Sequence, residues 1–281
     1  MTATSEVEAA KETRNGDVRT SRYATTGEGS TLLPSIVTIV AVLGLWWLIT
    51  YLGLIKPLFL PRPTAIWNAF QQSIAGIIDN NTLWVHIGWS LVRVMSAFAL
   101  AVAIGIPVGL AMGVSRVARG LFDPIIEFYR PLPPLAYLPL MIIWFGIGEE
   151  SKILLIFLAC FAPVALAARA GVRSVNPEQL NAARSMGASR TQILRFVVLP
   201  TALPEILVGL RIGMGVGWTT LVAAEMVAAN AGLGQMVLNA SNFLRTDVVI
   251  MGIIVIGFFA FLFEMAMRQL ELWLVPWKGK V

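Results

Sequence analysis

The chain has 281 residues, of which 57% are hydrophobic and only 13% charged, with a mean hydropathy of +0.76, which excludes a soluble domain and marks a multi-span membrane protein. A single cysteine, Cys160, excludes an internal disulfide framework or a multi-cysteine metal site; in its apolar run it reads as a small buried hydrophobe. His86 is the only histidine, so a His-Glu-x-x-His zinc pair is impossible, and no glycine-rich loop ending in Lys-Ser or Lys-Thr is present to hold ATP. A Ser-His-Asp triad would have to recruit that same histidine, so no catalytic residue and no metal ligand is assigned.

Residues 1–30 are polar, mixed in charge and lack an apolar core, so they predict a disordered tail and leave the first span as the insertion signal. A membrane helix needs roughly 20 apolar residues, and the gaps between charges count the spans. The first lies between Glu28 and Lys56, the second between Arg93 and Arg116, and the third from Asp123 to Glu149, broken near its start by RPLPP. The fourth runs from Lys152 to Arg169, whose bases are expected to snorkel. The fifth and sixth fall around residues 205–229 and 248–268. The fold class expected is an all-α membrane protein of six spans.

Six spans place both termini on one side, and lysine and arginine say which. With the N-terminus inside, only Lys56, Arg62, Arg93, Lys152 and Arg245 fall outside or near the outer end of a span. Both termini are therefore expected in the cytoplasm, and topology accounts for the net charge of +5 without a nucleic-acid partner. Between spans one and two, Pro63 can open a helix whose Ile66, Ala69, Phe70, Ile74, Ile77 and Ile78 share a face, predicting an interfacial amphipathic helix attended by Trp67, Trp84 and Trp89.

Gly105, Gly109 and Gly113 in span two, and Gly209, Gly213 and Gly217 in span five, recur every fourth residue and predict two smooth helix-packing seams. The GMGVG run lies inside an apolar helix and not at a strand-helix turn, so it is no dinucleotide fingerprint. Pro107 should kink span two. Glu225, within span five, must face the bundle interior or a watery cavity. It is read either as a partner, bonded across helices or to Arg93, or as a pathway or gate residue. Arg130, with Pro131, Pro133, Pro134 and Tyr137, is the second pathway candidate, because the prolines remove backbone donors; its alternative is a rigid break seating span three.

The polar loop of about 171–200 reads as two capped helices. Asn176, Pro177, Glu178 and Gln179 have the chemistry of a cap and first turn, Gly187 can form a left-handed terminus, and Ser189 with Gln192 repeats a capping box before a helix stopped at Pro200. Leu180, Ala182, Ala183 and Met186, then Ile193, Phe196 and Val197, supply apolar faces, and Arg184, Arg190 and Arg195 basic edges. Such a loop either lies against the span ends or docks a soluble partner.

Ala182, Ala183, Gly187, Ala188, Leu199 and Pro200 resemble the cytoplasmic signature loop of permeases of binding-protein-dependent ABC importers. Asn181 stands where a glutamate usually precedes the alanine pair. The stretches PLFLPRP, GIPVGLAMG, FDPIIEFYRPLPPLAYLPLMIIWFGIGEESKILLI, LPEILVGLRIGMGVGWTTLVAAEM and LVPWKGK extend the resemblance over residues 31–281, nearest to the taurine-handling members of the sulfonate, nitrate and taurine subgroup. The resemblance implies a six-span permease domain over 31–281 in a bacterial inner membrane, working as a homodimer. Its implied partners are two ATP-binding subunits, which hold ATP and magnesium, and an extracytoplasmic substrate-binding protein. Residues 181–184, 187, 188, 190, 199 and 200 would then couple to the ATPases. Alkanesulfonates, nitrate or a related small anion are the substrate alternatives to taurine, and an ion-gradient-driven secondary transporter or a membrane scaffold are the rivals of another class. Co-purification with an ATPase separates the importer from both.

Overall fold

A computed structural model describes residues 32–78 and 81–277; the tail expected over 1–30 lies outside the described residues, as do Lys278 and Lys280. Among the described residues every regular element is helical. Contacts divide the chain into residues up to Ile49 and residues from Thr50 onward. The first unit holds most of helix α1 (Leu32–Tyr51), apolar along its length and about 30 Å long at 1.5 Å per residue.

In the second unit, α2 (Pro63–Ile74) starts with proline at its first position after an extended Arg62 and turns Ile66, Ala69 and Ser73 inward. The long helices α3 (Leu83–Val114), α6 (Glu149–Arg173), α9 (Leu199–Ala228) and α11 (Thr246–Leu274) follow, and with α1 they are, among the described residues, the five helices long and apolar enough to cross a membrane. The stretch read as a third span broken at RPLPP consists of α4 (Arg116–Tyr129), a tight turn at Pro134–Tyr137 and α5 (Leu138–Phe145). Pro131, Pro133 and Pro134 cannot donate to a helix ladder, and Gly146, at φ 77°, ends α5 after only eight residues, about 12 Å. Pro107 lies inside α3, which runs as one helix from Leu83 to Val114.

Three boundaries differ from the sequence reading, each for a physical reason. Helix α3 begins at Leu83 and not near Arg93, because Arg93 is buried with carboxylate partners and so does not mark a water-facing end. Lys152 does not snorkel: its ammonium bonds Glu149 one turn earlier at 2.8 Å and is buried. The helix expected to stop before Pro200 continues. After α7 (Pro177–Ser185) and α8 (Arg190–Ile193), the chain widens into a π-turn at Leu194–Val198 and runs straight into α9. The wider turn accommodates the donor that Pro200 lacks, and the Thr201 hydroxyl donates to the Val197 carbonyl at 2.8 Å.

Helix α6 is the core, packed most extensively against α3 and α9. Both glycine series turn toward it. Gly105, Gly109 and Gly113 meet Val164, Ala165, Ala168 and Val172, while Gly209, Gly213 and Gly217 meet Ala167, Pro163, Val164 and Cys160. Small residues let the three backbones approach, so dispersion rather than water exclusion holds the helices together. Cys160 is wholly buried in this seam. Helix α10 (Leu233–Asn242) packs on α9 and α11, and α2 packs on α11.

Candidate functional site

A cavity of about 270 Å³ opens where the proline break meets α6 and α9. Tyr129, Arg130, Leu132, Pro134 and Tyr137 form one wall, Leu158, Ala159, Ala162 and Pro163 of α6 a second, and Ile212 and Val216 of α9 the third. Those α6 and α9 residues lie halfway along their helices. The cavity therefore sits midway along two membrane-length elements. A guanidinium at that depth is costly unless it faces a partner or water. Its one ion pair among the described residues, to Glu127 at 3.4 Å, lies one turn back on the same segment, and the Arg130 side chain is 54% exposed and lines the cavity. Tyr129 adds an unusual feature: its hydroxyl is buried and has no hydrogen-bond partner among the described residues, which costs roughly 1–3 kcal/mol.

Glu225 is not at this cavity. It is wholly buried near the C-terminal end of α9, where Arg93 Nη1 donates to its Oε1 at 2.7 Å and the Ser90 hydroxyl lies 2.8 and 2.9 Å from its two oxygens. Arg93 also forks onto Glu149, through Nε at 2.5 Å and Nη2 at 2.9 Å, and stacks over Trp89. The same groups clamp the segment before α10: Arg93 donates to the Ala231 carbonyl at 2.6 Å, and the amides of Leu233 and Gly234 donate to Ser90 and Glu225, both at 2.9 Å. The Gly232 amide donates to His86 Nδ1 at 3.1 Å. Two cations, Arg93 and Lys152, thus balance two carboxylates, Glu149 and Glu225, as buried charges require. The Arg93–Glu225 pairing was one of two roles open to Glu225 from sequence. Ser90 and Glu149 were missed, although Ser90 precedes Arg93 by one helical turn and Glu149 precedes Lys152 by the same spacing.

At the other end of α6 lies the short-helix pair. The Asn176 side chain accepts from the Glu178 amide at 2.8 Å, Ser189 and Gln192 cap each other reciprocally, and Gly187 turns the chain at φ 79°. Between them is a recess of about 370 Å³ lined by Ala183, Met186, Gly187, Ala188, Gln192, Ile193, Phe196 and Val197. Met186 and Phe196 are exposed, as are Asn181, Ala182, Arg184 and Arg190, whereas Leu199 and Pro200 are half-buried. Nearby, Arg169 of α6 pairs with Asp123 of α4, tying the two helices at that end.

A chain whose described residues form only helices, five of them of membrane length, is, as a class, a multi-span membrane protein. A family model described as binding-protein-dependent transport system inner membrane component matches residues 101–275, and the chain belongs to that family, the permease subunits of ABC transporters. It is 59% identical to the taurine transport system permease protein TauC of Escherichia coli over 88% of this chain and 90% of that one. It is 34% identical to SsuC of Bacillus subtilis, a permease protein named for aliphatic sulfonates transport, over 88% and 87% of the two chains. Among solved structures, an inward-facing conformation of the MetNI methionine ABC transporter superposes with a TM-score of 0.59 at 21% identity, covering 68% of this chain and 97% of that chain, a likeness of fold.

Proposed function

We propose that this chain forms the membrane pathway of an ABC importer for taurine. The observation that carries the reading is the 59% identity to TauC across 88% of the chain, against 34% to a permease named for aliphatic sulfonates. Two copies of the chain make the pathway in the bacterial inner membrane with both termini in the cytoplasm, and two ATP-binding subunits, which hold ATP and magnesium, power it. An extracytoplasmic binding protein delivers the substrate. ATP-driven closure moves the capped helices at 176–200, and the bundle alternates between two states.

Residues follow from this reading. Arg130 and Tyr137 line the passage at mid-depth, supported by the cavity they share with the centres of α6 and α9. Glu225 anchors a gate from outside the passage, joining α3, α9 and the segment before α10 through Ser90 and Arg93. Asn181, Ala182, Ala183, Arg184, Gly187, Ala188, Arg190, Leu199 and Pro200 dock on the ATPase, whose projecting side chain enters the apolar recess at Phe196.

The test is uptake of labelled taurine by cells lacking and then regaining the gene, with unlabelled taurine, an alkanesulfonate and nitrate as competitors. Loss and recovery of uptake, competed mainly by taurine, is the expected result; uptake untouched by deletion removes the substrate assignment. The docking role has its own check in Gly187→Asp. Among the described residues, nothing beyond its chain neighbours lies within 4 Å of a Cβ placed there, so the fold tolerates the change apart from a backbone cost of about 1–2 kcal/mol. The variant is expected to insert normally yet retain little ATPase subunit on co-purification. Wild-type association and uptake contradict the docking role.

A further inference from the structure

We propose that the Tyr129 hydroxyl and the Arg130 guanidinium form a half-site for the sulfonate group of the passing substrate. The inference rests on the taurine reading and adds to it a residue and a chemistry. Tyr129 and Arg130 line the same mid-helix cavity. A sulfonate stays ionised throughout the physiological range and spreads its charge over three oxygens, so it is recognised by donors alone. Arginine offers a planar fork of N–H groups and tyrosine one O–H, together enough to engage all three oxygens.

Neither donor is strongly engaged by the protein. The Tyr129 hydroxyl has no partner among the described residues, and the contact of Arg130 with Glu127 is long, at 3.4 Å, and between two half-exposed side chains. The opposite walls, Ala159, Ala162 and Ile212, are apolar and offer the anion no competing bond. The Tyr129 hydroxyl is covered in this conformation, which suits a contact made in one state of the transport cycle and withdrawn in the other, so that binding does not become a trap.

The experiment uses the whole complex in proteoliposomes with saturating substrate-binding protein, and reads uptake of labelled taurine for Tyr129→Phe, Arg130→Lys and Arg130→Gln. Removing one charge-assisted hydrogen bond lowers uptake about tenfold in Tyr129→Phe, with ATPase subunits still co-purifying. Arg130→Lys keeps the charge but not the fork and falls between wild type and Arg130→Gln. Wild-type uptake by Tyr129→Phe overturns the half-site while leaving the importer reading intact. Should Tyr129→Phe fail to assemble, Arg130→Gln decides, because its side chain is half-exposed: wild-type uptake there overturns the proposal equally. A wild-type complex that moves no taurine overturns both readings together.

Discussion

Replacing Arg93 by methionine is expected to lower stability by about 3–5 kcal/mol, the cost of leaving a buried carboxylate without its countercharge. The carboxylate in question is Glu225, which is wholly buried, whereas Glu149 is partly exposed and keeps Lys152. The loss therefore falls on one residue, and a second substitution identifies it. Glu225→Gln alone removes an anion and strands Arg93 with a single carboxylate, so it also destabilises, but the double variant Arg93→Met, Glu225→Gln removes charge from both sides and recovers part of the loss. Thermal unfolding of the purified protein in detergent reads this as a midpoint about 10 °C lower for Arg93→Met, with a smaller shift for the pair. An Arg93→Met midpoint equal to wild type removes the ion cluster from the forces that hold α3, α6 and α9 together. Because Arg93, Ser90 and Glu225 also hold the backbone at 231–234, the single variants should lose uptake even where folded protein remains.

Gly109→Ala is the second large effect, expected at about 1–3 kcal/mol for a single added carbon. A Cβ there would run into the Ala165 carbonyl and the Ala168 methyl, and a backbone carbonyl in the middle of a helix cannot swing aside. Helices α3 and α6 must part along their whole seam. Gly88 supplies the control within the same helix, since a Cβ there meets nothing within 4 Å. Alanine at position 88 should be neutral or stabilising by up to about 1 kcal/mol through helix propensity. Equal behaviour of the two variants would mean that the glycine seam does not set the spacing between α3 and α6.

How far the molecule could be read from its residues differs from one element to the next. The capped pair at 176–193 was legible because every signal is local: Asn176, Pro177 and Ser189 with Gln192 act within one turn of where they stand. Glycine spacing showed that α3 and α9 each carry a smooth face, but not that both faces close on the same helix, α6. Charge-gap counting misplaced the start of α3 and the role of Lys152, because it treats every charge as solvated: Arg93 is neutralised by Glu149 and Glu225 across long sequence separations, and Lys152 by Glu149 one helical turn away. Tyr129 carried no signal at all. A tyrosine ending an amphipathic helix is ordinary, and only the packing of α4 against α6 leaves its hydroxyl unsatisfied.

The sequence by itself determined the membrane class, the helical composition, the break at RPLPP and the two capped helices, since hydropathy, proline chemistry and capping act over a few residues. Tertiary structure alone decided which charges are buried together, which helix both glycine seams enclose, and that the proline break lies beside the midpoints of α6 and α9 to form a cavity. Those outcomes depend on distances between residues as far apart as Arg93 and Glu225, and such distances exist only once the helices have packed.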